Sequence, residues 1–260
     1  MADTREPSFE RVADSFLDGY ASQVNGYIRY RVIRDNLLET VPELRSPKQL
    51  KVIDIGAGDG REALGLSALG HLLTVVDPSP TMVAHLRENA DKFDEVLEGD
   101  VRVAIDQFGR AAFDGAMMHG VLPYVEQSGQ ELAELAKLVR PGGFISILNK
   151  GYNGTLLRYV NQRRFDEIPG YLKAGNYVVN RLGEEAWARR IDDTKRDFAA
   201  ASLSIVNWFG VTVITDSIED KVEDFDPNDL DLLTHLELEL SRDPSSKGMG
   251  QMVHLVARKN

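Results

Sequence analysis

KVIDIGAGDG, from Lys51 to Gly60, joins a short β-branched run to glycines at positions 56, 58 and 60. A run of that length and composition suits a buried strand. The glycines allow a sharp turn and let a ligand approach the backbone closely. A turn that opens a helix also presents free N–H groups, which favour partial negative charge. A dinucleotide site is spaced GxGxxG and seats a pyrophosphate on that helix end. Here the spacing is GxGxG, and Asp54 stands two residues before the first glycine. An acid there repels a pyrophosphate and suits a ligand that carries an ammonium group.

Outward from this turn, strand and helix patterns alternate. REALGLSALG reads as a helix closed by Gly70, LLTVVD as a strand, and SPTMVAHLRENADKF as a helix with Ser79 as N-cap and Pro80 at its first position. EVLEGD and FDGAMMHG read as strands, the latter ending at His119. QELAELAKLV reads as a helix stopped by Pro141-Gly142-Gly143, before the strand FISILNK. This alternation predicts an α/β fold, a doubly wound and mostly parallel sheet with helices on both faces.

The flanks differ. Phe9, Val12, Ala13 and Phe16, then Ile28, Val32, Ile33 and Leu37, recur at helix spacing, and Gly19 and Gly26 are expected to break residues 9–41 into two helices. After Lys150 the alternation stops for about fifty residues, which are rich in Tyr, Asn and Arg and read as an insertion. EEAWARRIDDTKRDFAAA reads as a helix, SIVNWFGVTVIT as a strand interrupted at Gly210, Asp229–Ser241 as a helix and GQMVHLVARK as a last strand. Two late strands suit an antiparallel hairpin at the sheet edge. One domain over 1–260 is expected, with 1–48 a helical lid and 151–200 an insertion facing the substrate.

Composition removes several classes of function. The chain has 260 residues and no cysteine, so a disulfide framework, a thiolate zinc site and a cysteine nucleophile are excluded. His71, His85, His235 and His254 stand at no ligand spacing, and no metal is expected. No apolar run reaches membrane-spanning length, and MADTREPSFERVADSF lacks the pattern of a signal peptide, so a cytoplasmic protein is expected. A net charge of −11 weighs against indiscriminate nucleic-acid binding. The charge is uneven: Lys150–Ala200 holds ten Lys/Arg against seven Asp/Glu, whereas Asp216–Asp243 holds eleven acids and two bases. The middle segment is therefore where an anionic substrate would be tolerated, unless its charges merely solvate a helix face.

Two further acids follow the turn. Asp77 ends the second strand, where an acid can accept hydrogen bonds from both hydroxyls of a ribose. Asp100 follows the third, where it can meet the exocyclic amine of an adenine. Alone, each reads equally as a strand-end acid or a helix cap. Together with the glycines they point to S-adenosylmethionine, which has an amino-acid end and no phosphate, rather than NAD. His119 can accept a proton, bind substrate or only touch the cofactor. Tyr124 can wall the pocket, and Tyr20 and Tyr27 can form a lid or pack a core. Tyr152 and Asn153 follow the fifth strand, and Arg158, Arg163 and Arg164 can clamp an anion through guanidinium forks.

DIGAGDG, VVDPS, EGD, FDGAMMHGVLPYV and LVRPGGFISI resemble the motifs of the class I S-adenosylmethionine-dependent methyltransferases over residues 50–150. The resemblance implies a seven-stranded Rossmann-like sheet with an antiparallel last strand, N-terminal helices and a helical insertion after the fifth strand. Over FERVADSF, GYIRYRVIRDNL, HGVLPYV, RPGGFISILNKGYNGTLLRYVNQRRFD and HLELELSRDPSSKGMGQMVHLVARK, the chain resembles the branch that methylates the carboxyl group of 5-carboxymethoxyuridine in tRNA. That implies methyl transfer to an anionic oxygen, the carboxylate of a modified wobble uridine in tRNA; methylation of a small-molecule carboxylate, phenol or amine is the alternative. It also implies that Arg29 reaches the methionyl carboxylate and that His119 lies beside the cofactor. The expected cofactor set is Arg29, Asp54, Gly56, Ala57, Gly58, Gly60, Asp77, Pro78, Met82, Gly99, Asp100, Val101 and His119. The expected catalytic set is His119, Tyr152 and Arg158. A cofactor-binding module without catalysis is the remaining alternative.

Overall fold

The computed structural model describes Glu10, Ala13, Leu17 and residues 22–174, 177–179 and 185–260. Five parallel strands come first: β1 (Lys51–Ile55), β2 (Leu72–Asp77), β3 (Glu95–Glu98), β4 (Phe113–His119) and β5 (Val139–Lys150). With β8 (Leu203–Val211) and β9 (Met252–Lys259) they form one seven-stranded sheet in the order β3-β2-β1-β4-β5-β9-β8. β9 is slotted between β5 and β8 and runs antiparallel to both. The expected antiparallel last strand is therefore present, and the edge is β8. The strand order reverses between β1 and β4, which places a crevice at their carboxyl ends.

Near-continuous apolar runs form these strands because helices cover both faces. Val52, Val75, Met117, Phe144 and Val256 face one layer, which includes Leu37 of α1 (Val24–Thr40) and Leu66 of α2 (Arg61–Ser67). Ile53, Val76, Ala116, Ile145 and Leu255 face the other, where Leu132 and Leu135 of α5 (Ser128–Leu138) and Phe198 of α8 (Ile191–Ala200) pack. The remaining sheet helices are α3 (Pro80–Glu88), α4 (Val101–Phe108) and α9 (Pro227–Arg242). α1 lies on α9 through Val24, Ile28, Val32 and Leu230, so it is built into the core.

Four local expectations need correction. Gly26 does not end a helix: it is buried inside α1, where a side chain is not needed and tight packing outweighs its poor propensity. Pro141, Gly142 and Gly143 do not stop the preceding helix; β5 begins at Val139, and its register against β4 shifts between Phe113 and Gly115. The irregularity of β8 falls between Ile205 and Asn207 rather than at Gly210. Glu185–Trp187 form β7, paired with β6 (Tyr177–Val179), and the helix begins only at Ile191. Ala186 and Ala188 are buried there against tyrosines, so tertiary packing overrides helix propensity. Phe9, Val12, Phe16, Gly19 and Tyr20 lie outside the described residues.

The insertion after β5 carries α6 (Tyr152–Asn161), α7 (Ile168–Ala174) and the β6–β7 ribbon. It has its own small core of Tyr152, Tyr159, Tyr171 and Val178, on which Tyr124 packs. Among the described residues, no helix is long and apolar enough to cross a membrane.

The sheet interior tolerates no added bulk at Gly115. A Cβ there would stand 2.1 Å from Cε1 of Phe144, which is itself fully buried. Gly115→Ala is expected to destabilise the protein by about 1–3 kcal/mol, read as a lower urea midpoint at unchanged slope; an unchanged midpoint would contradict this packing.

Candidate active site

The turn after β1 is built by hydrogen bonds to the neighbouring strand. The N–H groups of Gly56 and Ala57 both donate to the carbonyl of Val76, at 2.8 and 3.1 Å. Gly56, Gly58 and Gly60 have φ of 71°, 55° and 72°, a left-handed conformation that glycine adopts without strain. Space demands glycine too: a Cβ on Gly56 would lie 2.2 Å from Val121 and one on Gly60 2.6 Å from Leu86.

Asp77 closes the turn from β2. Its Oδ2 accepts from Gly58 N–H and its Oδ1 from Ser79 N–H, both at 2.9 Å. Each carboxylate oxygen keeps a second lone pair for a ligand hydroxyl. Ser79 caps α3 by accepting from Met82 N–H. Glu10 accepts from the hydroxyls of Ser79 and Thr81.

Carboxyl groups crowd the crevice. Asp54 and Asp77 are buried, and Asp59 and Glu62 are mostly so. Burial pushes the Asp54 carboxyl well above its usual range, and the charges of Glu62, Asp77 and Asp59 add to the rise. Asp77 is raised by burial against the opposing effect of its two backbone N–H donors. Asp59 is raised by burial and by Glu62. Glu62 behaves oppositely: burial pushes it up, but the His119 ring and the Arg29 guanidinium outweigh burial and hold it below the usual range.

His119 ends β4 with its side chain 5% exposed. Its Nδ1 is 3.7 Å from Glu62 Oε1, and its Nε2 is 2.8 Å from the Ser146 hydroxyl. Arg29, from α1, brings Nη2 to 3.6 Å from the same Glu62 oxygen and stacks on Tyr30. Beside this group a cavity of about 200 Å³ opens between α1 and α2. Tyr27, Tyr30, Arg31, Arg34, Arg61 and His119 are among its lining residues. Asp77 and the glycine turn are not.

The structure therefore gathers Arg29, Asp54, Gly56, Ala57, Gly58, Gly60, Asp77 and His119 around one crevice, with Met82 buried in the first turn of α3 and Pro78 exposed just before it. Asp100 caps α4, its Oδ1 accepting from Arg102 and Val103 N–H at 2.9 and 3.1 Å. Gly99, at φ 152°, precedes it, and Val101 is buried. Two expected catalytic residues have other partners. Arg158 makes a two-pronged ion pair with Asp216, its Nε 2.8 Å from Oδ2, with both side chains largely buried. Tyr152 is buried in the insertion, stacked on Tyr171 and covered by Arg190 at 3.7 Å. Arg164 is likewise held by Glu167. The reading from sequence missed Glu62. Its signal was faint, an acid in the first turn of a helix, which reads as ordinary dipole compensation.

Residues 53–147 match the family model described as a methyltransferase domain. The chain is similar to the tRNA 5-carboxymethoxyuridine methyltransferase of Escherichia coli (strain K12), 24% identical over 98% of this chain and 97% of that protein. It is also similar to the ubiquinone biosynthesis O-methyltransferase of Methylocella silvestris, 28% identical over 71% of this chain and 72% of that protein. Among solved structures, the fold is shared with the 1,6-didemethyltoxoflavin-N1-methyltransferase of Burkholderia thailandensis, with bound S-adenosylhomocysteine, at a TM-score of 0.55 and 18% identity, covering 100% of this chain and 93% of that one. Sheet order, glycine turn and family match make the chain a class I S-adenosylmethionine-dependent methyltransferase. Its cofactor is S-adenosylmethionine.

The residues present fit that cofactor. The left-handed glycines form a tight turn in which a Cβ on Gly56 or Gly60 would collide with Val121 or Leu86, Asp77 keeps free acceptor capacity, and the carboxyl groups around Asp54 suit a ligand with sulfonium and ammonium charges. Without the ligand, the raised Asp54 carboxyl is a liability. A folded-state pKa above the unfolded one gives stability that is complete at low pH and is lost as pH rises through the raised value. Asp54→Asn is therefore expected to stabilise the ligand-free protein, by a margin that grows with pH across that window, and to weaken cofactor binding. Urea unfolding of both proteins at several pH values checks this; a margin independent of pH would contradict it.

Proposed function

We propose that this enzyme transfers the cofactor's methyl group to an anionic oxygen, and that the acceptor is a carboxylate, with that of a modified wobble uridine in tRNA the leading candidate. The observation that carries the proposal is the cavity beside His119, where Arg31, Arg34 and Arg61, partly exposed and within 3.3–3.5 Å of Asp231, Asp35 and Asp59, outnumber the one carboxylate of the lining, Glu62, and stand among Tyr27 and Tyr30 over an apolar floor of Ile33, Leu37 and Met117. Guanidinium groups next to aromatic rings suit an anion attached to a planar or apolar body. Both ring nitrogens of His119 are turned toward protein groups, so the ring is poorly placed to take a proton from an acceptor. A carboxylate needs no base, because its oxygen is already nucleophilic. The tRNA reading is supported by similarity to the Escherichia coli enzyme over nearly the whole of both chains.

In this reading the chain's own residues do three things. The turn, Asp77 and Asp54 hold the cofactor, which supplies an electrophilic methyl group on its sulfonium. His119, held through Nε2 by the Ser146 hydroxyl, and Tyr30 wall the reacting end and exclude water. The cavity arginines orient the acceptor for in-line attack. α1 then supplies most of the acceptor side, with α2 opposite it.

A second reading, a small carboxylate, phenol or amine as acceptor, is favoured by the pairing of the insertion's basic residues. Arg158, Arg164, Arg189 and Arg196 have acid partners in Asp216, Glu167, Asp197 and Asp193. Their charge is thus compensated where an RNA backbone would need it. Transfer of labelled methyl to cell extract, fractionated into RNA and small molecules, separates the two. Base-labile label in tRNA supports the first reading, label in small acids the second, and label in neither contradicts both. Asp77→Ala is expected to weaken S-adenosylmethionine binding about 10–100-fold by calorimetry, the loss of hydrogen bonds to a charged acceptor; unchanged affinity would place the ribose elsewhere.

A further inference from the structure

Behind the crevice, polar groups cross three strands in one line. His119 Nε2 on β4 is 2.8 Å from the hydroxyl of Ser146 on β5, and that hydroxyl is 2.8 Å from Nε2 of His254 on β9. Ser146 and His254 are fully buried, and the two imidazoles meet edge to face at 5.6 Å. The line ends in the crevice at Glu62, whose Oε1 is 3.7 Å from His119 Nδ1. Three buried atoms along it make no hydrogen bond: Glu62 Oε1, His119 Nδ1 and His254 Nδ1. Buried polar groups are costly, so this arrangement needs a reason beyond packing.

Proton counting fixes the direction of the line. The Ser146 hydroxyl has one proton, so it donates to one imidazole and accepts from the other. In one arrangement His254 donates through Nε2–H, Ser146 donates to His119 Nε2, and His119 points Nδ1–H at Glu62. Besides the 3.7 Å gap between His119 Nδ1 and Glu62 Oε1, which is an electrostatic contact and not a hydrogen bond, the unmet group is then a lone pair on His254 Nδ1. The reverse arrangement leaves a buried N–H on His254 and turns the His119 lone pair onto a carboxylate. The first is favoured on both counts. Every donor then points toward Glu62, and aligned hydrogen bonds polarise one another in the same sense. Burial is the main cause that holds the His254 imidazole well below its usual pKa, consistent with its place at the closed end of the line.

We propose that Glu62 is a charge-selecting residue for the cofactor, kept anionic by the donor line from His254 through Ser146 and His119, so that the crevice distinguishes the cationic sulfonium from the neutral thioether left after methyl transfer. The proposal rests on the cofactor assignment above and extends it to a residue outside the glycine turn and its strand-end acids. Glu62 stands two residues after Gly60, and its charge bears on both Asp54 and Asp59. Its role is recognition. His119, Ser146 and His254 are positioning residues that act through it.

Two measurements test this. Imidazole nitrogen shifts of the ligand-free wild-type protein at neutral pH are expected to show His119 protonated on Nδ1 alone and His254 on Nε2 alone. The opposite pair of tautomers, or a doubly protonated His119 that neutralises Glu62, would overturn the proposal without reference to any ligand. Calorimetry with S-adenosylmethionine and S-adenosylhomocysteine is expected to show Glu62→Gln losing about tenfold or more in affinity for the first and clearly less for the second. Glu62→Asp, which keeps the charge, is expected to retain the wild-type preference. Equal losses for both ligands, or none, would make Glu62 structural. A wild-type protein that binds neither ligand would contradict the cofactor assignment itself, an outcome distinct from either of these.

Discussion

Crowding of carboxyl groups in a poorly hydrated crevice is the constraint on which the rest of this enzyme depends. Asp54, Asp59, Glu62 and Asp77 converge where the strand order reverses, and burial raises three of them. Like charges in a low-dielectric site are expensive, and the effective penalty for burying an ion is several kcal/mol. A fold keeps such a site only if something cationic relieves it. A sulfonium with an ammonium tail does so, and a pyrophosphate would aggravate it. The same constraint explains the neighbours: Arg29 and His119 lower Glu62 while leaving Asp54 uncompensated. Part of the stability that the free protein forgoes is thereby available as affinity for the cofactor.

The sheet makes this arrangement possible through register. Asp54 on β1 is opposite Met117 on β4, two residues before His119, and His119 is opposite Leu148 on β5, which pairs with His254 on β9. Because β9 is inserted between β5 and β8, a side chain more than a hundred residues downstream reaches the back of the site. The loop after β8 is held by Glu237, which accepts from Ile214 and Thr215 N–H at 3.1 and 3.2 Å. That loop carries Asp216, the partner of Arg158. The insertion and the sheet edge are thus tied together, and the cavity beside His119 is lined instead by α1 and α2.

Much of the fold was legible because its signals are local. The apolar run into GAGDG, the Ser79-Pro80 start of α3 and the strand ending at His119 need only neighbouring residues to be read. Gly26 was misread because the helix that contains it is buried as a whole, and Glu185–Trp187 because packing on the tyrosine core overrode local propensity. At the site, Asp54 and Asp77 announced themselves by position at the carboxyl end of a strand. Asp100 stood where expected, but its carboxyl serves as a helix cap. Glu62 was hidden by an ordinary helix-start context, and the His119–Ser146–His254 line by separations of 27 and 108 residues. Arg158 looked free because Asp216, 58 residues away, lies in the segment whose acidity was treated as a separate feature.

The central claim is that the cofactor lies across the glycine turn with its charged end among these carboxylates. A crystal structure of the protein with S-adenosylhomocysteine tests it most directly. The expected result places the ribose hydroxyls against Asp77 and the amino-acid end in the crevice between Asp54 and Glu62. A nucleoside bound away from Asp77, or an amino-acid end turned out of that crevice, would contradict the account.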